Sequence, residues 1–268
     1  MDFLNSKVVA ITGGSEGIGK ALVEFALDNG AKVATCSRNH DKLYQLQTKF
    51  PGKPLHIQVA DVSNEADCKR FIDSTLKNFG GIDILINNAG ISMRAELKDA
   101  QTDVIKKVMD INFFGTVYCT KYALESIISR KGTIVGVSSV AGYRGLPGRT
   151  GYNASKFAMQ GFLEALRVEV MHHDVNVMWV CPGFTASNIR NASLQKDGTS
   201  QGYSTLDEGK LMSAEECARI TYAAIGKRKR TLVYTFEDKR TIFLTKFFPK
   251  LADKLVYKFF YKNHELVK

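Results

Sequence analysis

Cysteine is scarce in this chain, and its spacing offers no metal or disulfide framework. The five cysteines are Cys36, Cys68, Cys119, Cys181 and Cys217, and no two of them stand as CxxC. An odd count without close spacing favours a reducing compartment over a disulfide scaffold or a cysteine-rich metal site. The five histidines show no metal-ligand spacing either. The sequence therefore predicts no metal site.

Long apolar runs and targeting signals are missing as well. No run of 18 uncharged apolar residues exists, so no segment is expected to cross a bilayer as a helix. Residues 1–6 contain no basic region followed by an apolar core, so no secretory signal is expected. Together with the cysteine usage, these absences predict a cytoplasmic protein.

Repeats, low-complexity tracts and linkers rich in Pro, Gly or Ser are also absent. Hydrophobic residues make up 44% and charged residues 24% of the chain, which is ordinary globular usage. This composition excludes a mainly disordered or collagen-like chain. We predict one domain over residues 1–235, followed by an extension over residues 236–268.

The net charge of +10 lies mainly in that extension. Residues 227–268 carry twelve Lys or Arg and four Asp or Glu, whereas residues 1–226 are almost balanced. A uniformly basic nucleic-acid-binding protein is therefore disfavoured, and we expect no nucleic-acid partner.

Short β-rich runs alternate with longer helical patterns along the chain. The strand candidates are 7–12, 31–36, 55–59, 82–86, 133–137, 176–180 and 231–234. Helical patterns fill the intervals, with the longest near 113–130 and 151–172. Such alternation predicts an α/β fold, a single-domain doubly wound parallel sheet with helices on both faces.

A glycine-rich turn follows the first strand. Residues 12–19 read TGGSEGIG and lead into a helix, with the spacing GxxxGxG. Glycine lets the backbone approach a pyrophosphate, which sits at the positive helix N-terminus. This junction predicts a nucleotide-binding, Rossmann-type domain.

Arg38 stands where the second strand ends. An acidic residue at this place would bind the adenosine ribose as a diol, whereas the planar fork of an arginine suits a 2′-phosphate. We therefore predict NADP(H) as the cofactor. The alternative is a solvated surface arginine, and the acidic Glu16 in the glycine turn weighs slightly against NADP(H).

Further along the chain, several polar residues follow one another in an order that indicates an active site. Residues 87–90 read NNAG after a strand, Asn112 lies in a helical pattern, Ser139 follows another strand, and Tyr152 and Lys156 form YxxxK. With the glycine turn and Pro182-Gly183, these motifs make residues 5–235 resemble the short-chain dehydrogenase/reductases. Within that family the chain is most similar to the 11-beta-hydroxysteroid dehydrogenase and dehydrogenase/reductase 7B-like group.

The resemblance implies a role for each matched residue. Tyr152 would be the general acid/base, Lys156 would hold the nicotinamide ribose, Ser139 would bind the substrate oxygen, and Asn112 would position a relay water. The cofactor-binding residues it implies, with Arg38 from the preceding argument, are Gly13, Ser15, Glu16, Gly17, Ile18, Gly19, Arg38, Asp61, Val62, Asn88, Ala89, Gly90, Tyr152, Lys156, Pro182, Gly183 and Thr185.

The pair Tyr152 and Lys156 also has a physical rationale. Moving the pKa of a tyrosine from about 10 to about 7 needs about 4 kcal/mol. A lysine charge about 5 Å away supplies about 3 kcal/mol at an effective dielectric constant near 20. We therefore expect Lys156 to lower the pKa of Tyr152, with the oxidised nicotinamide adding the rest.

The substrate side is less specific. The predicted substrate contacts are Ser139, Tyr143 and Tyr152, with Met93, Arg94 and Leu146 also expected to face the pocket. Residues 184–212 form a long polar stretch with little periodicity, which is typical of a lid.

Residues 241–262 of the extension carry a lysine at every fourth position from Lys246 to Lys262, beside rows of Phe, Leu and Val. Pro249 is expected to start a second helix there. A basic amphipathic helix with aromatic residues is typical of peripheral contact with an anionic bilayer. The alternative is that the apolar face packs on protein while the lysines stay solvated.

The sequence thus predicts an NADP(H)-dependent oxidoreductase that interconverts a carbonyl and an alcohol on a hydrophobic, lipid-like substrate. By analogy with the family we expect a homodimer or homotetramer. The alternatives are an NAD-dependent alcohol dehydrogenase, a non-catalytic nucleotide-sensing protein on the same fold, and an epimerase or dehydratase of the extended family.

Overall fold

Seven parallel strands form the central sheet of the computed structural model, which describes residues 1–204 and 211–267. Their order is β3-β2-β1-β4-β5-β6-β7. The strands are β1 (Val8–Thr12), β2 (Lys32–Ser37), β3 (Leu55–Val59), β4 (Ile84–Asn87), β5 (Thr133–Val137), β6 (Asn176–Cys181) and β7 (Thr231–Val233). This order confirms the predicted doubly wound parallel sheet.

Helices connect the strands and cover both faces of the sheet. They are α1 (Gly17–Asp28), α2 (His40–Lys49), α3 (Glu65–Phe79), α4 (Thr102–Met109), α5 (Gly115–Ser129), α6 (Thr150–Glu169) and α7 (Ala214–Gly226). A π-helical turn over Asp110–Phe114 joins α4 to α5, so the two helices form one continuous rod. Such turns occur frequently at functional sites.

The alternation of side chains along β1 divides the core into two layers. Ala10 faces a cluster that contains Phe71 of α3 and Leu163 of α6. Val9 and Ile11 face the opposite cluster, with Leu22 of α1 and Tyr222 of α7. Successive strand residues point to opposite faces, and all five residues of β1 are buried. The apolar run of β1 is therefore explained by helices on both sides.

The chain reverses its direction of winding between β1 and β4, which are hydrogen-bonded neighbours at the centre of the sheet. In doubly wound sheets the ligand-binding crevice opens at this switch point, beyond the carboxyl ends of the strands. The glycine turn follows β1 there, and residues 87–90 follow β4.

The extension forms a helical pair and a hairpin. Helix α8 (Phe236–Phe247) is followed by α9 (Pro249–Phe260), which begins at Pro249 as predicted, and then by β8 (Tyr261–Lys262) and β9 (Glu265–Leu266). Arg144 Nη2 lies 2.6 Å from Asp253 Oδ1, and the Tyr261 hydroxyl donates to Glu96 Oε1 over 2.6 Å. Within residues 1–204 and 211–267, no helix has the length and apolar character to span a membrane.

Candidate active site

The glycine turn leaves the backbone exposed where side chains would block it. Gly13 has a φ of +72°, and a Cβ added there would lie 2.9 Å from Cα of Ala89. A Cβ on Gly19 would lie 2.1 Å from the carbonyl oxygen of Gly13. Asn88 Nδ2 donates to the carbonyl oxygens of Thr12 and Gly13 over 3.0 and 3.2 Å. The segment after β4 therefore holds the glycine turn in shape.

A cleft of about 660 Å³ opens beyond the carboxyl ends of the strands. All the predicted cofactor-binding residues line it, together with Ser139. Its size falls within the usual range of small-molecule sites. The structure therefore brings together, in one cleft, residues that are up to about 170 positions apart in the chain.

Two cations lie on the cleft lining beyond the carboxyl end of β2. Arg38 Nη1 lies 4.0 Å from Asp61 Oδ2, and Lys42 Nζ lies 2.5 Å from Glu16 Oε2. Lys42 belongs to the first turn of α2, whose N-cap is Asn39. The Glu16 carboxylate is thus paired rather than free to repel a phosphate. Sequence reasoning missed Lys42, although its place four residues after Arg38 at a helix start was a usable signal.

Ser139, Tyr152 and Lys156 converge at the middle of the cleft. Ser139 follows β5, and its hydroxyl is hydrogen-bonded to Tyr152. Tyr152 and Lys156 lie one turn apart on α6 and are both buried. Lys156 Nζ donates to the carbonyl oxygen of Val137 over 2.8 Å and lies 5.7 Å from the centroid of the Tyr152 ring. Ser139 and Tyr152 can therefore act on one substrate oxygen, with the Lys156 ammonium behind the tyrosine ring.

The electrostatics of Tyr152 differ from the expectation. Burial raises the pKa of Tyr152 above its ordinary value, while the hydrogen bond from Ser139 and the charge of Arg149 lower it. Lys156 is not among these influences on the pKa of Tyr152. Its ammonium donates to the Val137 carbonyl, and burial lowers its own pKa to about 8. The cation that acts on Tyr152 is Arg149, one turn earlier in the chain.

Asn112 lies behind the cleft rather than on its lining. It is fully buried in the π-helical turn. Its Oδ1 accepts from the backbone N–H of Ile91, and its Nδ2 donates to the Ile91 carbonyl and to Ser155 Oγ. The side chain therefore fastens the segment after β4 to α6. The predicted water relay at Asn112 stays a prediction.

Tyr143 is placed away from the cleft. Its hydroxyl accepts a hydrogen bond from Trp179 Nε1 over 2.7 Å, and the ring packs against the core cluster that contains Trp179. It is not among the residues that line the cleft. The direction of its side chain depends on packing around β6, which sequence spacing does not reveal. The geometry gives no support to the substrate contact predicted for Tyr143.

Three arginines line the cleft near Tyr152: Arg94, Arg149 and Arg190. Leu146 also lines it, whereas Met93 is buried beneath it in an apolar cluster with Tyr152. Arg149 is the N-cap residue of α6 and was missed by sequence reasoning. Its position three residues before Tyr152, on the same helix face, was the available signal.

The predicted lid contributes to the same side. In its described part, Leu194 pairs with the segment after β4, since its carbonyl accepts from Arg94 N over 2.7 Å and its N–H donates to Ser92 O over 2.9 Å. Residues 205–210 of the lid lie outside the described residues. Across the described chain, no group of three or more His, Cys, Asp or Glu residues is placed to hold a metal ion.

Comparison with known proteins gives consistent matches. A model of the short chain dehydrogenase family matches residues 7–198. The chain is 33% identical over 262 residues to dehydrogenase/reductase SDR family member 7B of Mus musculus, covering 95% of this chain and 81% of the mouse protein. It is 35% identical over 232 residues to 11-beta-hydroxysteroid dehydrogenase-like 4A of Arabidopsis thaliana, covering 84% and 75% of the two chains. These matches agree with the group that the motifs resemble.

Solved structures share the fold. A short chain dehydrogenase/reductase from Burkholderia phymatum in complex with NAD superposes with a TM-score of 0.83 at 22% identity, over 94% of this chain and 96% of that one. An alcohol dehydrogenase from Thermococcus sibiricus, complexed with 5-hydroxy-NADP, superposes with a TM-score of 0.75 at 22% identity, over 86% and 95%.

Proposed function

The chain belongs to the short chain dehydrogenase family, and from that premise we propose that it is an NADP(H)-dependent oxidoreductase. The reaction that we propose interconverts a carbonyl and an alcohol on a hydrophobic, lipid-like substrate. The observation that carries the proposal is the convergence of Ser139, Tyr152 and Lys156 beside a glycine-lined cleft. A nucleotide-sensing protein would not need these three side chains at one point.

The residues present fit a dinucleotide. The close approaches at Gly13 and Gly19 leave no room for a Cβ, which is the backbone exposure that a pyrophosphate requires. Asp61 and Val62 would flank the adenine, Lys156 would bind the nicotinamide ribose, and residues 182–185 would cover the nicotinamide. When bound, the nicotinamide would donate or accept the hydride.

In the reduction direction, the chain's own groups manage the substrate oxygen and one proton. The Ser139 hydroxyl donates a hydrogen bond to the carbonyl oxygen, and the Tyr152 hydroxyl gives its proton to that oxygen as the alcohol forms. Lys156 places a cation beneath the tyrosine ring. In the oxidation direction, the Tyr152 phenolate takes the proton back.

The preference for NADP(H) rests on Arg38, Lys42 and the N-terminus of α2, which together present positive charge where a 2′-phosphate would lie. Titration of the purified chain with NADPH and NADH, followed by fluorescence at physiological salt, tests it. NADPH is expected to bind at least about tenfold more tightly, or about 1.4 kcal/mol. Equal or tighter binding of NADH would favour an NAD-linked alcohol dehydrogenase, and binding of neither would favour the non-catalytic alternative.

Apolar side chains support a hydrophobic substrate. Ile91, Val140, Leu146, Phe184 and Ile189 line the same cleft as Tyr152. Phe184 is half exposed at its edge. Such a lining favours an alkyl or ring system over a sugar.

We further propose that the extension rests on an anionic membrane. Its buried residues include Ala252 and Phe260, so part of it packs on protein, but a set of large apolar side chains stays exposed beside the lysines. These exposed residues, called here the aromatic face, are Phe243, Phe247, Phe248, Leu251, Leu255 and Phe259. Helix α8 carries Phe243 and Phe247 of the aromatic face, and Asp238 at the start of the same helix lines the cleft. The aromatic face is therefore connected to the cleft through α8.

Sedimentation with vesicles tests the membrane contact. We expect the full chain to sediment with vesicles of phosphatidylcholine and phosphatidylserine about tenfold more strongly than with phosphatidylcholine alone, because lysines near an anionic surface each contribute about 1 kcal/mol. Phe247→Glu, in the aromatic face, is expected to abolish most of the binding. Tyr44→Glu on α2 is the matched control, because Tyr44 is 56% exposed and Phe247 is 58% exposed. Binding to neither vesicle would contradict the proposal.

Assembly is proposed from exposed apolar residues on the two long helices. Phe114 directly precedes α5, and Phe157 and Val168 lie on α6. All three side chains are exposed. A homodimer or homotetramer would cover them, whereas a monomer would leave them in water. The mass of the purified chain by light scattering distinguishes these states, and a monomeric mass would contradict the assembly.

A further inference from the structure

Two arginine side chains on the cleft lining each have a buried nitrogen atom without a partner among the described residues. These residues are Arg94 and Arg149. Within residues 1–204 and 211–267, Nη1 of Arg94 and Nε of Arg149 are buried and have no hydrogen-bond partner. Neither guanidinium takes part in an ion pair within the same residues. Both residues are half-buried, and burying part of a guanidinium without a partner is costly, so a site that keeps two such groups is arranged for a counterion from outside.

Other arginines of this chain show the contrast. Arg144 also has a buried Nε without a partner in the described part of the chain, but its Nη2 pairs with Asp253. Arg38 pairs with Asp61 at the opposite end of the cleft. Among the described residues, Arg94 and Arg149 therefore differ from these arginines in having no carboxylate partner.

The surrounding charges strengthen the positive field. Burial lowers the pKa of Arg149, and the neighbouring charges of Arg94 and Arg190 lower it further. The described carboxylates on the cleft lining are engaged elsewhere, because Glu16 pairs with Lys42, Asp61 with Arg38, and Asp238 accepts a hydrogen bond from Thr235. Arg190 adds a third cation to the same side, where its Nη2 donates to the Thr185 carbonyl.

We propose that the substrate carries an anionic oxyacid group, a carboxylate or a phosphate, which Arg94 and Arg149 bind beside Tyr152. Planar guanidinium groups suit both anions, since each can donate two parallel hydrogen bonds. The apolar lining of Ile91, Val140 and Leu146 receives the rest of the molecule. The substrate class is thus an anionic, alkyl-bearing ketone or alcohol. The reaction on it rests on the proposed function, but the binding of the anion does not.

The proximity of Arg149 to Tyr152 also determines where the anion lies on the substrate. Arg149 is one helical turn from Tyr152 and acts on its hydroxyl. The anionic group therefore lies close to the reacting carbon rather than at the far end of an alkyl chain. An anion bound at Arg149 would offset the charge that lowers the pKa of Tyr152.

Binding of matched alkyl probes tests the proposal without turnover. Octanoate, octyl phosphate and octanol are titrated calorimetrically against the full chain, with and without NADP+. At least one anion is expected to bind about tenfold or more tightly than octanol, and the two anions compared with each other identify carboxylate or phosphate as the preferred group. Arg149→Met is expected to remove this preference, and Arg149→Lys to restore part of it.

Arg144→Met is the matched control, because Arg144 has its own carboxylate partner and lies outside the cleft lining. It is expected to keep the preference for the anion. Thermal unfolding gives a second readout: the preferred anion should raise the Tm of the wild type but not of Arg149→Met. Equal affinity for octanol and both anions, or an anion preference that survives Arg149→Met and Arg94→Met together, would overturn the proposal. Failure of NADPH to bind would overturn the proposed function and leave the anion site intact.

Discussion

Tyr152→Phe is expected to lower kcat/KM by about 10²- to 10⁴-fold, because it removes the group that exchanges the proton with the substrate oxygen. The ring of Tyr152 packs in an apolar cluster with Met93 and Val104, and phenylalanine keeps that packing. The change therefore removes the hydroxyl and its hydrogen bond with Ser139 but leaves the cleft in shape. NADPH affinity, measured by fluorescence titration, is expected to stay within about threefold of wild type.

Tyr143→Phe is the matched control for that experiment. It removes the acceptor for Trp179 Nε1, which is expected to cost about 1 kcal/mol of unfolding free energy. Because Tyr143 lies outside the cleft lining, turnover should remain near wild type. A Tyr152→Phe enzyme that turns over at the wild-type rate would refute the acid/base assignment. A large loss of turnover in Tyr143→Phe would restore it as a substrate contact.

Arg38→Asp is expected to lower the ratio of NADPH to NADH affinity by about 10- to 100-fold. Hydrogen bonds to charged groups contribute about 1.5–3 kcal/mol. Because Arg38 is more than half exposed, solvent screening keeps the expected change in the affinity ratio from exceeding about 100-fold. The new carboxylate would also repel a 2′-phosphate and could bind the ribose of NADH as a diol. Parallel fluorescence titrations with the two nucleotides measure the ratio.

Arg70→Asp makes the same change in charge at a site that should not matter. The Arg70 side chain is 60% exposed and that of Arg38 is 59% exposed, but Arg70 lies on α3 and pairs with Asp67 outside the cleft lining. Its nucleotide preference is expected to match the wild type. If Arg38→Asp left the ratio unchanged, Arg38 would be an ordinary surface cation and Lys42 would be the next residue to replace.

The strands and most of the cofactor cleft could be predicted because their signals are local. An apolar run followed by glycine predicts β1. The turn at 12–19 needs glycine where another backbone segment comes too close for a Cβ, as at Gly13 and Gly19. The order of motifs then predicted which residues meet, since the carboxyl ends of parallel strands share one edge of the sheet. All the predicted cofactor-binding residues line one cleft for that reason.

The predicted positions of side chains differed from the structure where the direction of a side chain depends on residues far away in the sequence. Asn112 was expected on the cleft, but the π-helical turn directs its amide to the backbone of Ile91. Tyr143 was expected near the substrate, but its hydroxyl meets Trp179 of β6. In both cases the partner is more than 20 residues away in sequence, and periodicity carries no information about it.

The sequence by itself determined the parallel sheet, the glycine turn, the order of Ser139, Tyr152 and Lys156 along the chain and the basic extension, because periodicity and short motifs encode them. Only the tertiary structure decided which charges meet. It paired Lys42 with Glu16 and left Arg94 and Arg149 without partners among the described residues. It also made burial, rather than Lys156, the main influence on the pKa of Tyr152. Solvation and charge pairing depend on neighbours in space, and the fold alone supplies those neighbours.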